Sequence, residues 1–424
     1  MRILDMKLKA ASVVNIFCVL GVVITLPGFQ AVSGAQVVRL NPPSGVIQRT
    51  LFGMHIHHFV TGAPHNTAWP DVPFGSWRIW DAYVSWFDVQ PRRGEWDFKK
   101  LDSYIDLAQQ HGVDVLLPLA MSPPWASSNP GGSYQGHTAP PKDMNDWRNY
   151  VRTVGTRYKG RIHNYEIWNE PNLDHYYSGN MGQMVALTRE ASQILKEIDP
   201  SIRIVSPSGT GSSSGTSWLD AFLSNGGGQY VDVIGFHFYV NPNPPESVVD
   251  LIRKVRSIMA KHGIETKYIW DTESGWAVPN PFPSAEQAAA YVARAYVLHW
   301  AASVSRFFWY SWDNQKYGLQ LTEADNNTLT PAGKAYAQVE NWLEGALMTS
   351  CSSDASGTWT SAITQASGSR SWIVWNSTHS TSFRIPEQWN VTQVKDLSGN
   401  SRSVGSKVLD IGVSPLLLVS AGKG

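Results

Sequence analysis

Between about Val46 and Leu347 the sequence alternates short apolar segments with helix-like segments or long loops. The eight apolar segments read, in order, TLFGMHIHHF, GSWRIWD, VDVLLPLAM, IHNYEIWNE, IRIVSPS, VDVIGFHFYV, KYIWDTESGW and RFFWYSWDN. Several intervening segments have apolar residues at helical spacing, as in LDSYIDLAQQHG, which closes on glycine. Eight strand–helix repeats over about 300 residues predict a (β/α)8 TIM barrel of the α/β class. An open doubly wound sheet is the weaker alternative, because no glycine-rich phosphate loop follows the first strand.

The pattern changes after Leu347. The segment SGTWTSAITQASGSRSWIVWNSTHSTSFRI alternates Ser and Thr with apolar residues and contains glycine turns, which predicts a small C-terminal β-sandwich. Residues 36–42, QVVRLNP, also alternate and are a candidate extra strand of that sandwich. The predicted domains are therefore a catalytic barrel over 36–345 and a β-sandwich over 346–424.

Residues 1–35 have the pattern of a secretory signal peptide. Basic residues precede the apolar run Ala10–Pro27, and the small residues 33–35 offer a cleavage site. A single membrane anchor is the alternative, since the run approaches the length of a bilayer span. We expect a secreted or periplasmic protein that has no membrane contact after cleavage. Loss of Cys18 with the signal would leave Cys351 as one thiol, without an internal disulfide.

Composition narrows the class of partner. Charged residues make up only 16% of the chain and the formal net charge is zero, which argues against nucleic acid or an anionic membrane surface. The 19 tryptophans are roughly three times an average share. Some must fill the core, but flat aromatic faces also stack on the apolar faces of sugar rings. The predicted partner is a polysaccharide or oligosaccharide, and the oligomeric state is not readable.

Side chains that can take part in catalysis or binding lie at the predicted carboxyl ends of the barrel strands. The active sites of such barrels are built there. These side chains are Arg78, Trp125, Asn169, Glu170, His237, Tyr239, Glu273, Trp309 and Trp312. Two carboxyls among aromatic residues are typical of sites that cleave a glycosidic bond. One carboxyl must be ionised beside the oxocarbenium-like centre, and the other must protonate the leaving oxygen. The stretch HIHH makes a metal conceivable. No carboxylate is near it in sequence, so we predict neither metal nor cofactor.

The motifs NYEIWNEPN and IWDTESGW, with GFHFY between them, resemble those of the retaining glycoside hydrolases of clan A. The barrel with a small sandwich is most similar to glycoside hydrolase family 39, including its bacterial members that act on exopolysaccharides. The resemblance covers about 300 residues, the length of the barrel. It implies that Glu170 is the acid/base, Glu273 the nucleophile and Asn169 a partner of the sugar 2-hydroxyl.

The same resemblance implies supporting roles. His237 and Tyr239 would hold the nucleophile and the sugar, and Arg78 would keep the nucleophile ionised. Trp309 resembles the tryptophan of the eighth strand that floors the central subsite. Trp312 is a rival for that role, and the sequence does not choose between them.

Structural alternatives stand beside these roles. Glu170 and Glu273 could belong to turns, and Trp125 could be loop packing. Glu166 is interpreted as a buried partner for a basic residue, and residues 209–218, GTGSSSGTSW, are predicted to be a flexible rim loop.

The sequence thus predicts a secreted retaining β-glycoside hydrolase. Its loops after the second and third strands favour an open groove and endo action. A catalytically silent carbohydrate-binding barrel of an exopolysaccharide system, or a structural assembly protein of that system, is the alternative.

Overall fold

The computed structural model describes residues 37–59, 67–279, 282–313 and 318–421. The predicted signal peptide, residues 1–35, lies outside these ranges and stays a prediction. Elements are numbered in chain order, beginning with the short strand β1 (Arg39–Leu40).

Eight parallel strands close into a barrel in the order of the sequence. The barrel strands are β2 (Phe52–Met54), β3 (Ser76–Arg78), β4 (Asp114–Leu119), β5 (Asn164–Ile167), β6 (Arg203–Val205), β7 (Val233–Phe236), β8 (Tyr268–Ser274) and β9 (Val304–Trp309). Pairing of β9 with β2, as at Met54 and Trp309, closes the ring. Each of the eight predicted segments overlaps one of these strands, so the predicted barrel is confirmed.

Helices follow the strands and cover the outside of the barrel. They are α1 (Trp86–Val89), α2 (Lys99–Gln110), α3 (Met144–Arg157), α4 (Met181–Ile198), α5 (Ser213–Ser224), α6 (Val248–Lys261), α7 (Ala285–Ala301) and α8 (Pro331–Leu343). Short 3-10 helices span Arg49–Leu51, Ser133–Gly136, Gly227–Tyr230, Pro245–Ser247 and Glu387–Trp389. None of the helices in the described ranges has the length and apolarity needed to cross a bilayer.

Helix starts follow local side-chain chemistry. Asn180 and Gln183 form a reciprocal capping box at the start of α4, which satisfies two backbone donors that have no partner inside the helix. Helix α5 corrects the predicted flexible loop over 209–218. The Ser212 side chain accepts the backbone N–H of Gly215 at 3.2 Å and starts a helix there.

The barrel interior is filled by apolar side chains from β4 and from β6 to β9. This inner cluster consists of Leu116, Val205, Val233, Trp270 and Phe308. Since both faces of each strand are buried, the strands read as continuous apolar runs.

The C-terminal strands form an antiparallel sheet region. They are β10 (Leu347–Ser353), β11 (Thr358–Thr364), β12 (Arg370–Asn376), β13 (Thr381–Arg384), β14 (Val391–Lys395), β15 (Ser401–Ser403), β16 (Val408–Ile411) and β17 (Leu416–Ser420). One sheet has the order β1-β10-β11-β12-β17-β14-β15, and β13 pairs with β16 as a separate ribbon. An apolar cluster that includes Trp372, Leu409 and Leu418 packs the ribbon against the sheet. The edge strand β1 comes from residues 36–42 and pairs with β10.

Candidate active site

Glu170 is brought to the barrel mouth by an unusual turn of the backbone. It follows β5, and both Trp168 (φ 66°) and Glu170 (φ 42°) adopt left-handed conformations that non-glycine residues rarely take. The Glu170 N–H donates to the carbonyl of Ser208 at 2.9 Å, which fixes this turn to the end of β6. The side chain is 8% exposed. Strained backbone of this kind is typical of functional sites.

Glu273 reaches the same mouth because β8 is irregular. Trp270 faces the inner cluster and Thr272 donates to Ser208 inside the barrel, whereas Asp271 faces α7. Strict alternation would turn Glu273 outward with Asp271. The register of β8 against β9 shifts between Asp271 and Ser274, and such a bulge re-aims the side chain.

The two glutamates face each other across a short gap. Oxygens of Glu170 and Glu273 and a ring nitrogen of His237 all lie within 4.8 Å of one another. His237 Nδ1 lies 2.8 Å from Oε1 of Glu170 and 4.0 Å from Oε1 of Glu273. His237 therefore lies near Glu273, as the resemblance implied, but its direct contact is with Glu170. Tyr239 does meet Glu273, to which its hydroxyl donates at 3.1 Å.

Arg78 organises the floor of this gap with three hydrogen bonds. Its Nε donates to Glu166 at 2.6 Å, Nη1 to Glu273 at 2.9 Å, and Nη2 to Oδ1 of Asn169 at 2.7 Å. Glu166 is fully buried, as its interpretation as the partner of a basic residue requires. Because Asn169 accepts with its oxygen, its Nδ2 is free to donate, and this buried group has no protein partner in the described part of the chain.

Sequence comparison identifies what this arrangement belongs to. Residues 84–311, more than half of the chain, match the family model of glycosyl hydrolases family 39. The chain belongs to this family.

The relatives of this family 39 member are distant. A β-xylosidase of Geobacillus stearothermophilus is 24% identical over 189 residues, which is 38% of this chain and 37% of that protein. The chain thus matches little more than a third of the length of this curated relative. A family 39 glycoside hydrolase from Bacteroides cellulosilyticus WH2 has a similar fold, with a TM-score of 0.72, 18% identity and coverage of 88% and 81% of the two chains. A family 39 β-xylosidase from Caulobacter crescentus gives a TM-score of 0.66 at 15% identity, with 91% and 98% covered.

The electrostatics of this family 39 site act strongly on Glu273. Burial, together with the nearby carboxyl of Glu170, raises the pKa of Glu273 to about 7 against the charges of His237 and Arg78. Two carboxyls this close resist ionising together. Arg78 and Tyr239 donate to Glu273, and these hydrogen bonds favour its anion.

The structure places Trp309 and Trp125 in packing positions. Trp309 is fully buried and packs on Trp276, Phe307 and, on α7, Tyr296. It therefore lies between the barrel and its helices, which corrects its expected place at the central subsite. Trp312 is also buried, at 1% exposed. Trp125 donates from Nε1 to the Gln90 carbonyl at 3.0 Å and lies under the Arg93 guanidinium, so it packs the loop after β4 against the segment that follows β3.

Residues near the mouth that the sequence analysis missed are Asp81 and Tyr310. The Tyr310 hydroxyl donates to Asp81 at 2.9 Å, and Asp81 contributes to the raised pKa of Glu273. Both follow barrel strands directly, which is the signal that could have found them.

The stretch HIHH also gains a partner that was distant in sequence. Nδ1 of His57 and Nδ1 of His58 lie 3.1 and 3.2 Å from the carboxylate of Asp313. The backbone N–H groups of both histidines and the Thr67 hydroxyl donate to the same carboxylate. These three side chains could hold a metal ion by geometry, but the protein's own donors already use the oxygens of Asp313. His55 instead bonds the Thr272 carbonyl at 3.1 Å.

Proposed function

We propose that this protein is a retaining β-glycoside hydrolase in which Glu273 is the nucleophile and Glu170 the acid/base. The observation that carries the proposal is the short gap between the two glutamates, whose oxygens lie within 4.8 Å of each other. Retaining enzymes place their carboxyls about 5–5.5 Å apart, whereas inverting enzymes need about 6.5–9.5 Å to admit a water.

In the first step the Glu273 carboxylate attacks the anomeric carbon. The glycosidic C–O bond breaks, Glu170 gives its proton to the departing oxygen, and a glycosyl ester of Glu273 forms. Arg78 keeps the attacking carboxylate ionised and in place. The free Nδ2 of Asn169 is positioned to donate to a hydroxyl of the sugar.

In the second step a water takes the place of the leaving group. Glu170, now ionised, removes a proton from this water, which attacks the anomeric carbon and breaks the ester. The product keeps the β configuration, and both glutamates return to their starting states. His237 holds Glu170 at 2.8 Å in the position that both steps require.

The substrate is proposed to be a β-linked oligosaccharide or polysaccharide. The family relatives named as β-xylosidases make β-xylosides the first substrates to test. Endo action is supported by the loops after β3 and β4, which carry PRRGEW and SSNPGGSYQGHTAPP, neither long nor apolar enough to wall off one end of the cleft. Secretion is supported by the pattern of residues 1–35.

The nucleophile can be tested by chemical rescue. We expect Glu273→Gly to be inactive on an aryl β-xyloside and to regain turnover with azide, because the small anion fits the emptied space. The product should be the α-xylosyl azide, identified by the NMR coupling of its anomeric proton. Glu170→Gly is the matched control, since azide should there attack the ester of Glu273 and give the β-azide.

A mutant series separates the glutamates from ordinary acidic residues. Glu170→Gln should lower kcat by about 10²–10⁴-fold on substrates with poor leaving groups, while the exposed Glu265→Gln should match the wild type. Near-normal turnover of Glu170→Gln or Glu273→Gln would remove that residue from the mechanism. Binding of polysaccharide without release of reducing ends by the wild type would instead assign the silent carbohydrate-binding barrel.

A further inference from the structure

A second cavity opens between the loop after β3 and the first turn of α2. It has a volume of about 520 Å³ and is lined by Tyr83, Asp88, Asp97, Lys99, Lys100 and Ser103. Its two carboxyls and two ammonium groups balance in charge. The lining therefore offers donors and acceptors around one aromatic ring, which suits a neutral polyhydroxylated ligand.

Tyr83 is the aromatic wall of this cavity. Its side chain is 56% exposed, although burial of a ring this large would be favourable. The Lys100 ammonium lies 4.7 Å from the ring centroid. A ring this exposed retains open surface on which a sugar can stack.

The backbone holds this ring out at a cost in free energy. Tyr83 has φ 59° and Asp81 has φ 56°, so two non-glycine residues within three positions adopt the left-handed conformation. Such residues cost on the order of 1–3 kcal/mol each and persist where the structure has a use for them. Core packing does not explain the left-handed backbone at Tyr83, because the ring faces solvent.

The segment that carries Tyr83 also carries Asp81, a residue linked to the glutamate site. Asp81 bonds Tyr310 at 2.9 Å and its charge acts on Glu273. Tyr83 is two residues further, and two residues span at most about 7 Å. The backbone of Tyr83 therefore lies within about 7 Å of that of Asp81.

We propose that the Tyr83 cavity is a distal subsite that stacks a neutral pyranose residue of the same glycan chain bound at Glu170 and Glu273. This inference rests on the proposed function and deepens it, since a subsite beyond the reacting sugars favours long substrates.

The test measures how affinity grows with glycan length. Isothermal titration of the Glu170→Gln protein, which should leave ligands uncleaved, compares xylobiose with xylohexaose and cellobiose with cellohexaose. We expect a gain in affinity from the short to the long member of at least one series. Adding Tyr83→Ala should reduce that gain about tenfold, the scale of one aromatic contact, and Tyr83→Phe should keep it.

Tyr268→Ala is the matched control. Tyr268 is 62% exposed but begins β8, at the opposite end of the barrel, so this change should leave the gain intact. Melting temperatures of all variants establish that they are folded.

Each outcome decides the matter. A gain that survives Tyr83→Ala, or no gain with length in either series, overturns the subsite. Turnover of an aryl β-xyloside by the wild type would then leave the proposed function standing. A gain that depends on Tyr83, in a protein without turnover on any glycoside, would keep the subsite and overturn the hydrolase.

Discussion

At the scale of single residues, the site is an arrangement of buried charges that satisfy one another. Arg78 is fully buried, and its guanidinium donates hydrogen bonds to Glu166, Asn169 and Glu273. A buried charge is tolerated only when paired and hydrogen-bonded. The three contacts therefore stabilise the arginine and at the same time set the positions of the groups that would touch a sugar.

The raised pKa of Glu273 predicts the pH dependence. As pH falls through the pKa of about 7, Glu273 gains a proton and can no longer attack, so kcat/KM should fall. The acid limb should lie well above the ordinary glutamate pKa of about 4.3. In Glu170→Gln the limb should move to lower pH, because the Glu170 carboxyl is one of the groups that raise the pKa of Glu273.

This profile is measured with an aryl β-xyloside whose leaving group needs no proton, so that the loss of the acid does not hide the limb. An acid limb that stays in place in Glu170→Gln would show that the Glu170 carboxyl does not raise the pKa of Glu273.

At the scale of elements, the position of Glu273 depends on how β8 is tied to α7. His299 on α7 places Nε2 2.8 Å from Asp271 and Nδ1 2.8 Å from the Ala295 carbonyl. His299 and Asp271 therefore form a buried pair that links α7 to β8. Asp271 also accepts from Ser274, next to Glu273. The pair thus fixes the bulge that aims Glu273.

Breaking this pair should be costly. Asp271→Asn removes the buried carboxylate that faces His299, and the loss of one partner of such a buried pair typically costs about 3–5 kcal/mol. Urea unfolding measures the loss. Asp220→Asn is the matched control, since it removes the carboxylate from His262, 2.7 Å away at the surface, where such contacts contribute about 1 kcal/mol or less. Equal losses in the two variants would show that the buried contact stabilises the fold no more than the surface contact does.

At the scale of the whole molecule, the end of the last helix, α8, contacts the segment that leads into the first barrel strand, β2. The Gly345 N–H, just after α8, donates to the carbonyl of Ile47 at 2.9 Å. The start of the chain also pairs with the C-terminal sheet through β1. Between barrel and sheet, Trp375 donates from Nε1 to Glu246 at 2.8 Å. These contacts make the stability of the two parts interdependent.

A buried carboxyl at this closure predicts how stability varies with pH. Burial and the hydrogen bond with Glu344 raise the pKa of Glu340 on α8 to about 8, although the charge of Arg49 acts to lower it. The folded pKa exceeds the unfolded value of about 4.3. The contribution of Glu340 to stability is therefore complete below about pH 4.3 and is lost as pH rises towards 8.

The measurement is the melting temperature of the wild type minus that of Glu340→Gln, which cannot ionise, from pH 5 to 9. This difference should become more negative as pH rises to about 8 and should then level off. Parallel curves over that range would refute the assignment.

The sequence alone determined the barrel, its strands and the two glutamates. Spacing of apolar segments and capping residues is local information, and so is the position of Glu170 and Glu273 at strand ends. The helix α5 was missed because its start is rich in Ser and Gly, residues typical of loops.

Only the tertiary structure decided which side chains meet. Barrel strands are apolar on both faces, so their sequence does not reveal that Trp309 faces α7 or that a bulge turns Glu273 inward. The partners of Arg78, and the contact of His237 with Glu170, join strands that are far apart in the chain. Such pairings arise when the barrel closes and brings the strand ends to one rim, and no local pattern records them.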